Sequence, residues 1–254
     1  MSMPPGRSIP FSPARRLIAE IMHFSRGVPL VTVERRVTIL EVANQRLLVD
    51  PRPSWLTLFV KAAGLAAQTV PELRRSYLSF PWPWLYEHSA SVPAITVERD
   101  WHGEPAVLIM PLRQPEHLPL SEIDRRLKKA KSDPLRDIPA FRRTLRIARY
   151  PLPLRRLLFW LGLRVVPPWR ERHFGTIAVS SVITAGAEIT SALTPLTGYL
   201  TFSTVEADGS VTLRLMFDHR VLDAAQAARY LVAFEQSLRR EILQELQSIA
   251  QAGR

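Results

Sequence analysis

Several features are missing from the sequence, and each absence narrows the range of functions. Cysteine is absent, which excludes disulfide bonds, thiolate catalysis and cysteine-ligated zinc. Neither GxGxxG nor GxxxxGK(S/T) occurs, so no glycine-rich loop of the phosphate-cradling kind is predicted. No stretch of about 18 apolar residues runs uninterrupted by charge. We therefore expect a cytoplasmic protein that can touch a membrane surface without crossing the membrane.

Acidic residues are scarce relative to basic ones. The 254 residues include 34 Lys and Arg against 23 Asp and Glu, a formal net charge of +11, and most of the excess is arginine. Such a charge favours an anionic partner, such as the phosphates of coenzyme A, an acidic lipid surface or nucleic acid. Because no nucleic-acid recognition motif accompanies the charge, nucleic acid is not expected as a partner.

Length and composition fit one globular domain. With 46% hydrophobic and 22% charged residues, the chain can build a sizeable core. Residues 1–10 are proline-rich and lack the apolar core of a secretory signal, so they are predicted to form a flexible arm. Residues 11–254 are expected to form a single domain.

Hydrophobic periodicity and turn residues predict the secondary structure. Helices are predicted over residues 13–25, 38–48, from Ser54 to about 70, over 121–132 and from Asp223 past Leu246. Strands are predicted over 28–37, 77–80, 94–101, 105–112, 175–182, 195–205 and 211–217, with a hairpin turn at 102–103.

A histidine lies at the junction between the last strand and the last helix. His219 follows the strand-like run 211–217, so it can be rigidly mounted and still reach a cleft, where a neutral imidazole accepts protons near pH 7. Asp223, four residues later, could orient the ring or fix the turn by binding an arginine. Alternatively, Asp223 and Gln226 form a capping box and His219 is simply a strand-end residue.

The segment around this histidine resembles a known signature. Asp-His-Arg-Val-Leu-Asp-Ala-Ala, residues 218–225, resembles the Asp-His-Arg-x-x-Asp-Gly-Ala motif of the 2-oxoacid dehydrogenase acyltransferases, the E2 catalytic domains related to chloramphenicol acetyltransferase. Further segments similar to this family follow in the family's order at residues 15–19, 58–63, 70–73, 110–113 and 175–181. The resemblance extends over about residues 11–240.

The resemblance implies a fold and a reaction. The fold would be α/β, a chloramphenicol acetyltransferase-like two-layer sandwich with a mixed β-sheet flanked by helices. The reaction would move an acyl group from a coenzyme A or carrier-protein thioester to a thiol, hydroxyl or amine acceptor. Coenzyme A thioester would be a co-substrate, with no metal and no tightly bound cofactor.

The resemblance also implies roles for individual residues. His219 would be the general base, and Ser180 would donate a hydrogen bond to the tetrahedral oxyanion. Asp223 would hold the local fold by pairing with an arginine such as Arg16 of the first helix. Relatives assemble as trimers with His and Ser contributed across a subunit boundary, so a homotrimer is expected.

Three features depart from the family pattern. Ser181 and Val182–Ile183 replace the usual Asn and Leu/Gly-Gly, so the turn after the Ser180 strand should differ. Ala224 replaces a glycine, which would cost roughly 1 kcal/mol if that backbone needs a positive φ. No lipoyl domain or subunit-binding domain is present in the sequence, so a conventional role in an oxoacid dehydrogenase complex is not expected.

A cationic, apolar insertion at about residues 136–171 has no counterpart in the family. Two short helices broken at Tyr150–Pro151 are predicted. Arginine beside Trp, Phe and Leu is typical of a helix at a lipid interface, but a helix packed over the core or against another subunit is the preferred interpretation. Trp82 and Trp84, on a proline-stiffened loop, are either a lid or a wall of the substrate channel.

Two further classes of function compete with the enzyme. The chain could be a non-catalytic trimeric scaffold or membrane-surface binding module built on the acyltransferase fold. It could also be a basic nucleic-acid binder, although only the net charge supports that interpretation.

Overall fold

The secondary structure alternates between helices and strands along the chain. The computed structural model describes residues 6–180, 183–184 and 187–252. The α-helices are α1 (Pro13–Ser25), α2 (Leu40–Leu47), α3 (Trp55–Thr69), α4 (Leu120–Ser132), α5 (Pro139–Ala148), α6 (Leu152–Trp160), α7 (Pro167–His173), α8 (Ala224–Ser237) and α9 (Leu243–Ala252). The strands are β1 (Leu30–Thr38), β2 (Arg75–Leu78), β3 (Trp84–Glu87), β4 (Pro93–Trp101), β5 (Glu104–Pro111), β6 (Ile177–Ser180), β7 (Ile183–Thr184), β8 (Ala187–Glu188), β9 (Gly198–Phe202) and β10 (Ser210–Asp218). Turns of π-helix at Leu161–Val165 and Leu238–Ile242 follow α6 and α8.

A mixed six-stranded sheet organises the molecule. Its strand order is β1-β10-β9-β6-β4-β5, with β6 parallel to both β4 and β9 and the other neighbours antiparallel. The β2–β3 and β7–β8 hairpins form separate two-stranded sheets. The predicted α/β class, with a mixed sheet flanked by helices, is confirmed.

Helices α3 and α8 cover one face of this sheet. The Ser54 side chain accepts a hydrogen bond from the Thr57 N–H at 3.1 Å, so α3 begins at the predicted cap. The Phe59 ring lies 4.3 Å from that of Phe202 in β9 and 5.7 Å from that of Phe234 in α8. The prediction that α3 belongs to the core is confirmed by these buried contacts.

The insertion packs with α1 over part of the opposite face. Helices α5 and α6 confirm the two predicted short helices and the break between them at residues 149–151. The Phe159 ring of α6 stacks on Phe24 of α1 at 6.1 Å, and the Arg155 guanidinium binds the buried Glu20 carboxylate at 3.0 Å. The insertion therefore forms part of a third layer, on the side of the sheet opposite to helices α3 and α8.

The tryptophan loop is shorter than its sequence predicts. Trp84 begins β3 and pairs with Leu78 of β2, so only residues 79–83 connect the two strands. Pro81 and Pro83 lie just before this strand and interrupt the alternation of apolar and polar residues. A strand of only four residues beside two prolines therefore gives no recognisable periodicity. By contrast, the hairpin predicted at His102 and Gly103 is confirmed, since both residues have the positive φ that such a turn requires.

Candidate active site

The turn after β10 is fixed by an ion pair between neighbouring residues. The Arg220 guanidinium donates to both oxygens of the buried Asp218 carboxylate, at 2.9 and 2.7 Å. The same guanidinium lies 4.0 Å from the ring centroid of Tyr77, which adds a cation–π contact. Asp218 and Arg220 flank His219, so this bidentate ion pair fixes the backbone conformation on both sides of the histidine.

The His219 imidazole is half-exposed and oriented by a backbone carbonyl. Its Nδ1 lies 3.0 Å from the Leu222 oxygen and 3.7 Å from Oδ1 of Asp223, and 48% of the side chain is exposed. A carbonyl oxygen only accepts hydrogen bonds, so Nδ1 carries the proton of the neutral ring. Nε2 is then left with its lone pair, as a general base requires.

Asp223 is the N-cap residue of α8. Its N–H donates to the Gln226 side-chain oxygen at 2.8 Å, which matches one arm of the predicted capping box. The predicted pair between Asp223 and Arg16 is not formed within one chain. Arg16 Nε instead donates to the carbonyl of Phe11, which precedes the N-cap of α1, at 2.9 Å.

Ala224 fits the backbone where the family has glycine. The residue is the first of α8 and is not among those with a positive φ. The strain anticipated for this substitution therefore does not arise. Two residues of the altered turn after β6, Ser181 and Val182, lie outside the described residues.

Ser180 ends β6 inside a cluster of hydroxyl groups. The Thr96 hydroxyl donates to Ser180 Oγ at 2.7 Å, and Ser180 is only 1% exposed. Burial raises the pKa of the Tyr199 phenol, although its hydrogen bonds with Ser180 and Thr96 oppose the rise. Gly175, with φ of +90°, allows the sharp entry into this strand, since a Cβ there would lie 2.6 Å from the Val92 oxygen.

An apolar cavity of about 210 Å³ adjoins the Ser180 cluster. Thr96 and Tyr199, both bonded to Ser180, are part of its lining. The opposite wall is built from α1 by Ile18, Ile21 and Met22. Space for a substrate group therefore exists beside the predicted oxyanion donor.

His219 and Ser180 do not meet within one chain. Ser180 is paired with Thr201 in β9, which is paired with Arg214 in β10, and His219 lies five residues beyond Arg214. At about 3.4 Å per residue, this places the histidine roughly 17 Å further along the sheet. The two residues therefore lie towards opposite ends of the strands, so a single chain does not form a site that contains both.

The two candidate channel tryptophans lie on the surface. Trp82 is 69% exposed, and Trp84 Nε1 donates to the Phe80 carbonyl at 3.1 Å. The Phe80 ring contacts Trp160 at the end of α6, with 5.3 Å between ring centroids. This loop therefore adjoins the insertion, and it does not line the cavity beside Ser180.

A second histidine network was missed by sequence reasoning. The Ser76 hydroxyl is 2.8 Å from His88 Nε2, and His88 Nδ1 is 3.4 Å from the Glu171 carboxylate, which also binds Arg113 at 3.0 Å. This order of groups resembles a nucleophile, base and carboxylate. However, Ser76 and His88 are both buried, and neither lines the 210 Å³ cavity that adjoins the Ser180 cluster, so we interpret this network as structural. His88 lies 12 residues after Ser76 and 83 residues before Glu171, and these spacings form no motif that could be recognised in the sequence.

Within residues 6–180, 183–184 and 187–252, no cluster of three or more His, Asp or Glu side chains is arranged to hold a metal ion. In the same part of the chain, no helix is long and apolar enough to span a bilayer.

The fold is that of the acyltransferase cores of 2-oxoacid dehydrogenase complexes. The chain is similar to the cubic core of a pyruvate dehydrogenase multienzyme complex, with a TM-score of 0.65 and 17% identity over 95% of this chain and 98% of that one. It is similar to a probable dihydrolipoamide acetyltransferase from Listeria monocytogenes, with a TM-score of 0.64 and 16% identity over 96% and 95% of the two chains. A dihydrolipoamide acetyltransferase from Azotobacter vinelandii gives a TM-score of 0.64 and 17% identity over 95% and 98%. No family model and no curated protein matches the sequence significantly.

Proposed function

We propose that the protein is an acyltransferase that moves an acyl group from a coenzyme A or carrier-protein thioester to a thiol, hydroxyl or amine acceptor. The observation that carries this proposal is the orientation of His219, whose Nδ1 faces the Leu222 carbonyl and whose Nε2 can take a proton. The fold shared with the acetyltransferase cores supports the same reaction class.

In the proposed reaction, Nε2 of His219 takes the acceptor's proton as the acceptor bonds to the thioester carbonyl carbon. Collapse of the tetrahedral intermediate breaks the carbon–sulfur bond, and the imidazolium returns the proton to the leaving thiolate. Ser180 donates to the oxyanion, an interaction typically worth about 3 kcal/mol. Thr96 donates to Ser180 Oγ, so the serine keeps its own proton to donate, and in the proposed reaction that proton turns from the Tyr199 oxygen to the oxyanion.

The proposed active assembly is a homotrimer in which each site takes His219 from one copy and Ser180 from the next. The separation of these residues along one sheet supports this arrangement. The Azotobacter enzyme was investigated for catalytic roles of a serine, a histidine and an asparagine four positions after that histidine. Ser180, His219 and Asp223 supply two of those residue types and a carboxylate in place of the amide.

A second candidate is a non-catalytic module bound to a membrane surface. It is favoured by large apolar side chains exposed at one place in the fold. Leu154 and Leu157 of α6 are 45% and 48% exposed, and Trp82 on the adjoining loop is 69% exposed. Arginines of the same insertion would meet anionic lipid headgroups.

The deciding experiment is thiol release from acyl-CoAs of increasing chain length, with thiol, hydroxyl and amine acceptors. We expect His219→Ala to lower turnover by about 10²- to 10⁴-fold without changing the thermal unfolding midpoint. His117→Ala, at an exposed histidine away from the site, is the matched control and should keep full activity. Full activity of His219→Ala would refute the mechanism. Protein that turns over no thioester but sediments with anionic vesicles would support the second candidate.

A further inference from the structure

The insertion encloses a second apolar cavity, of about 160 Å³, between α1, β5 and helices α5 to α7. Its apolar walls include Leu17, Ile21, Ile109, Ile147, Phe159 and Phe174. Such walls favour an aliphatic or aromatic group over a polar one. The acyl-transfer site described above does not use this cavity.

The polar part of the cavity lining is entirely basic or neutral. Arg143 and His173 both line it, and Nδ1 of His173 is buried without a hydrogen-bond partner. The charged groups that act on these two residues are Arg172 on Arg143, and Arg143 and Arg172 on His173. Burial and the two arginines lower the pKa of His173 to about 4, so its imidazole is neutral at pH 7.

This arrangement lacks a negative charge. Burial, with Arg172 as the next cause, lowers the pKa of Arg143, and an arginine still keeps its proton at neutral pH. Two neighbouring guanidinium groups repel each other, and a buried ring nitrogen without a partner loses its hydrogen bond to water. A carboxylate placed among them would relieve the repulsion and accept from the imidazole.

This cavity adjoins the cavity beside Ser180. The 160 Å³ cavity and the 210 Å³ cavity beside Ser180 share Ile21, Ile109 and Phe174 in their linings. Together they reach the size of a typical small-molecule site, about 300 to 1,000 Å³. A flexible linear chain entering at the basic end could therefore extend towards Tyr199.

We propose that this cavity binds a linear fatty-acid anion. The carboxylate lies beside Arg143 and His173, within the influence of the Arg172 charge, and the aliphatic chain runs past Phe159 and Phe174. Charge complementarity determines the head group, and the apolar walls determine the tail. In this orientation the head-group site, at Arg143 and His173, is separate from Ser180, and only the end of a long tail would reach the cavity beside Ser180.

The proposal is tested by calorimetric titration of the full chain with saturated carboxylates of 8 to 16 carbons, below their micelle concentrations. The n-alcohols of the same lengths are titrated in parallel. We expect each carboxylate to bind at least about tenfold more tightly than its alcohol. Each added methylene should tighten binding about three- to fourfold until the cavity is full.

Substitutions of lining residues test where the carboxylate of the bound fatty acid lies. Arg143→Gln should abolish the preference for carboxylate over alcohol, whereas Arg142→Gln, an exposed neighbour on the same helix, should leave it unchanged. Arg143→Lys, which keeps the charge, should retain most of the preference. Ile109→Trp, which fills the neck between the cavities, should shorten the longest chain that still gains affinity. Thermal unfolding of each variant shows that it is folded.

Three outcomes would overturn the proposal. They are equal affinity for carboxylate and alcohol in the wild type, equal losses from Arg142→Gln and Arg143→Gln, and affinity that does not depend on chain length. Anionic vesicles containing no free fatty acid form a separate arm, and binding to them alone would assign the basic groups to a lipid surface. His219→Ala should bind the carboxylates like the wild type, so failure of the proposed acyl transfer would not affect this result.

Discussion

At the scale of single residues, His88 couples the stability of the fold to pH. Its ring is buried between Ser76, which is hydrogen-bonded to Nε2, and Glu171, which faces Nδ1. Burial, with Arg170 as a second cause, lowers the pKa of His88 to about 4. The folded protein therefore keeps this imidazole neutral at a pH where the unfolded chain has already bound a proton.

The sign of the effect follows from this difference. Because the unfolded state binds more protons between pH 6.5 and 4, the free energy of unfolding falls as the pH is lowered through that range. We expect His88 alone to account for roughly 2–3 kcal/mol of the loss between pH 7 and 4.5. This contribution is measured by urea unfolding of the wild type and of His88→Gln at pH 7 and at pH 4.5. The variant should be less stable at pH 7 and lose less on acidification. An equal loss in both proteins would contradict the assignment.

At the scale of elements, a buried ion pair fastens the insertion to α1. Glu20 is 2% exposed, and its carboxylate binds Arg155 of α6 at 3.0 Å. The same carboxylate lies 3.6 Å from Arg156, whose side chain is 46% exposed. Removing the buried partner leaves a desolvated charge, whereas removing the exposed one changes little.

Arg155→Met should therefore lower the free energy of unfolding by about 3–5 kcal/mol. Arg156→Met is the matched control on the next residue and should cost less than about 1 kcal/mol. The double variant Glu20→Leu/Arg155→Met should recover most of the loss, because no unpaired charge remains. Urea unfolding at pH 7 distinguishes the three. Similar losses in both single variants would show that the pair does not hold the insertion.

Elements with local signals could be predicted from the sequence, whereas contacts between distant segments could not. Helices α3, α5 and α6 follow from a serine cap, a proline break and apolar periodicity. The cap formed by Asp223 and Gln226 is equally local. Arg16 was assigned to Asp223 across the fold and instead bonds to a nearby carbonyl, and the Ser76–His88–Glu171 network has no pattern along the chain. The four-residue strand β3 is too short to show periodicity beside two prolines.

At the scale of the whole molecule, the sheet separates the two proposed catalytic residues. The strand registers place His219 and Ser180 roughly 17 Å apart along the strand direction in one chain. Resemblance to the acyltransferase family suggested both residues but could not supply this distance, which depends on the pairing of β6, β9 and β10. A hydroxyl group at that range cannot stabilise an oxyanion formed at His219. If both residues act in catalysis, each site must include two copies of the chain.

Complementation between inactive variants tests this consequence. His219→Ala retains the serine and Ser180→Ala retains the histidine, so a site between one copy of each can contain both residues. In trimers that contain both variants, about one third of the sites should be restored, because one of the three interfaces then joins an intact histidine to an intact serine. The measurement is thiol release by co-expressed, differently tagged variants purified through both tags, with each variant alone as the control. Activity no higher than that of the separate variants would mean that the two residues act within one chain or that Ser180 has no part in the reaction.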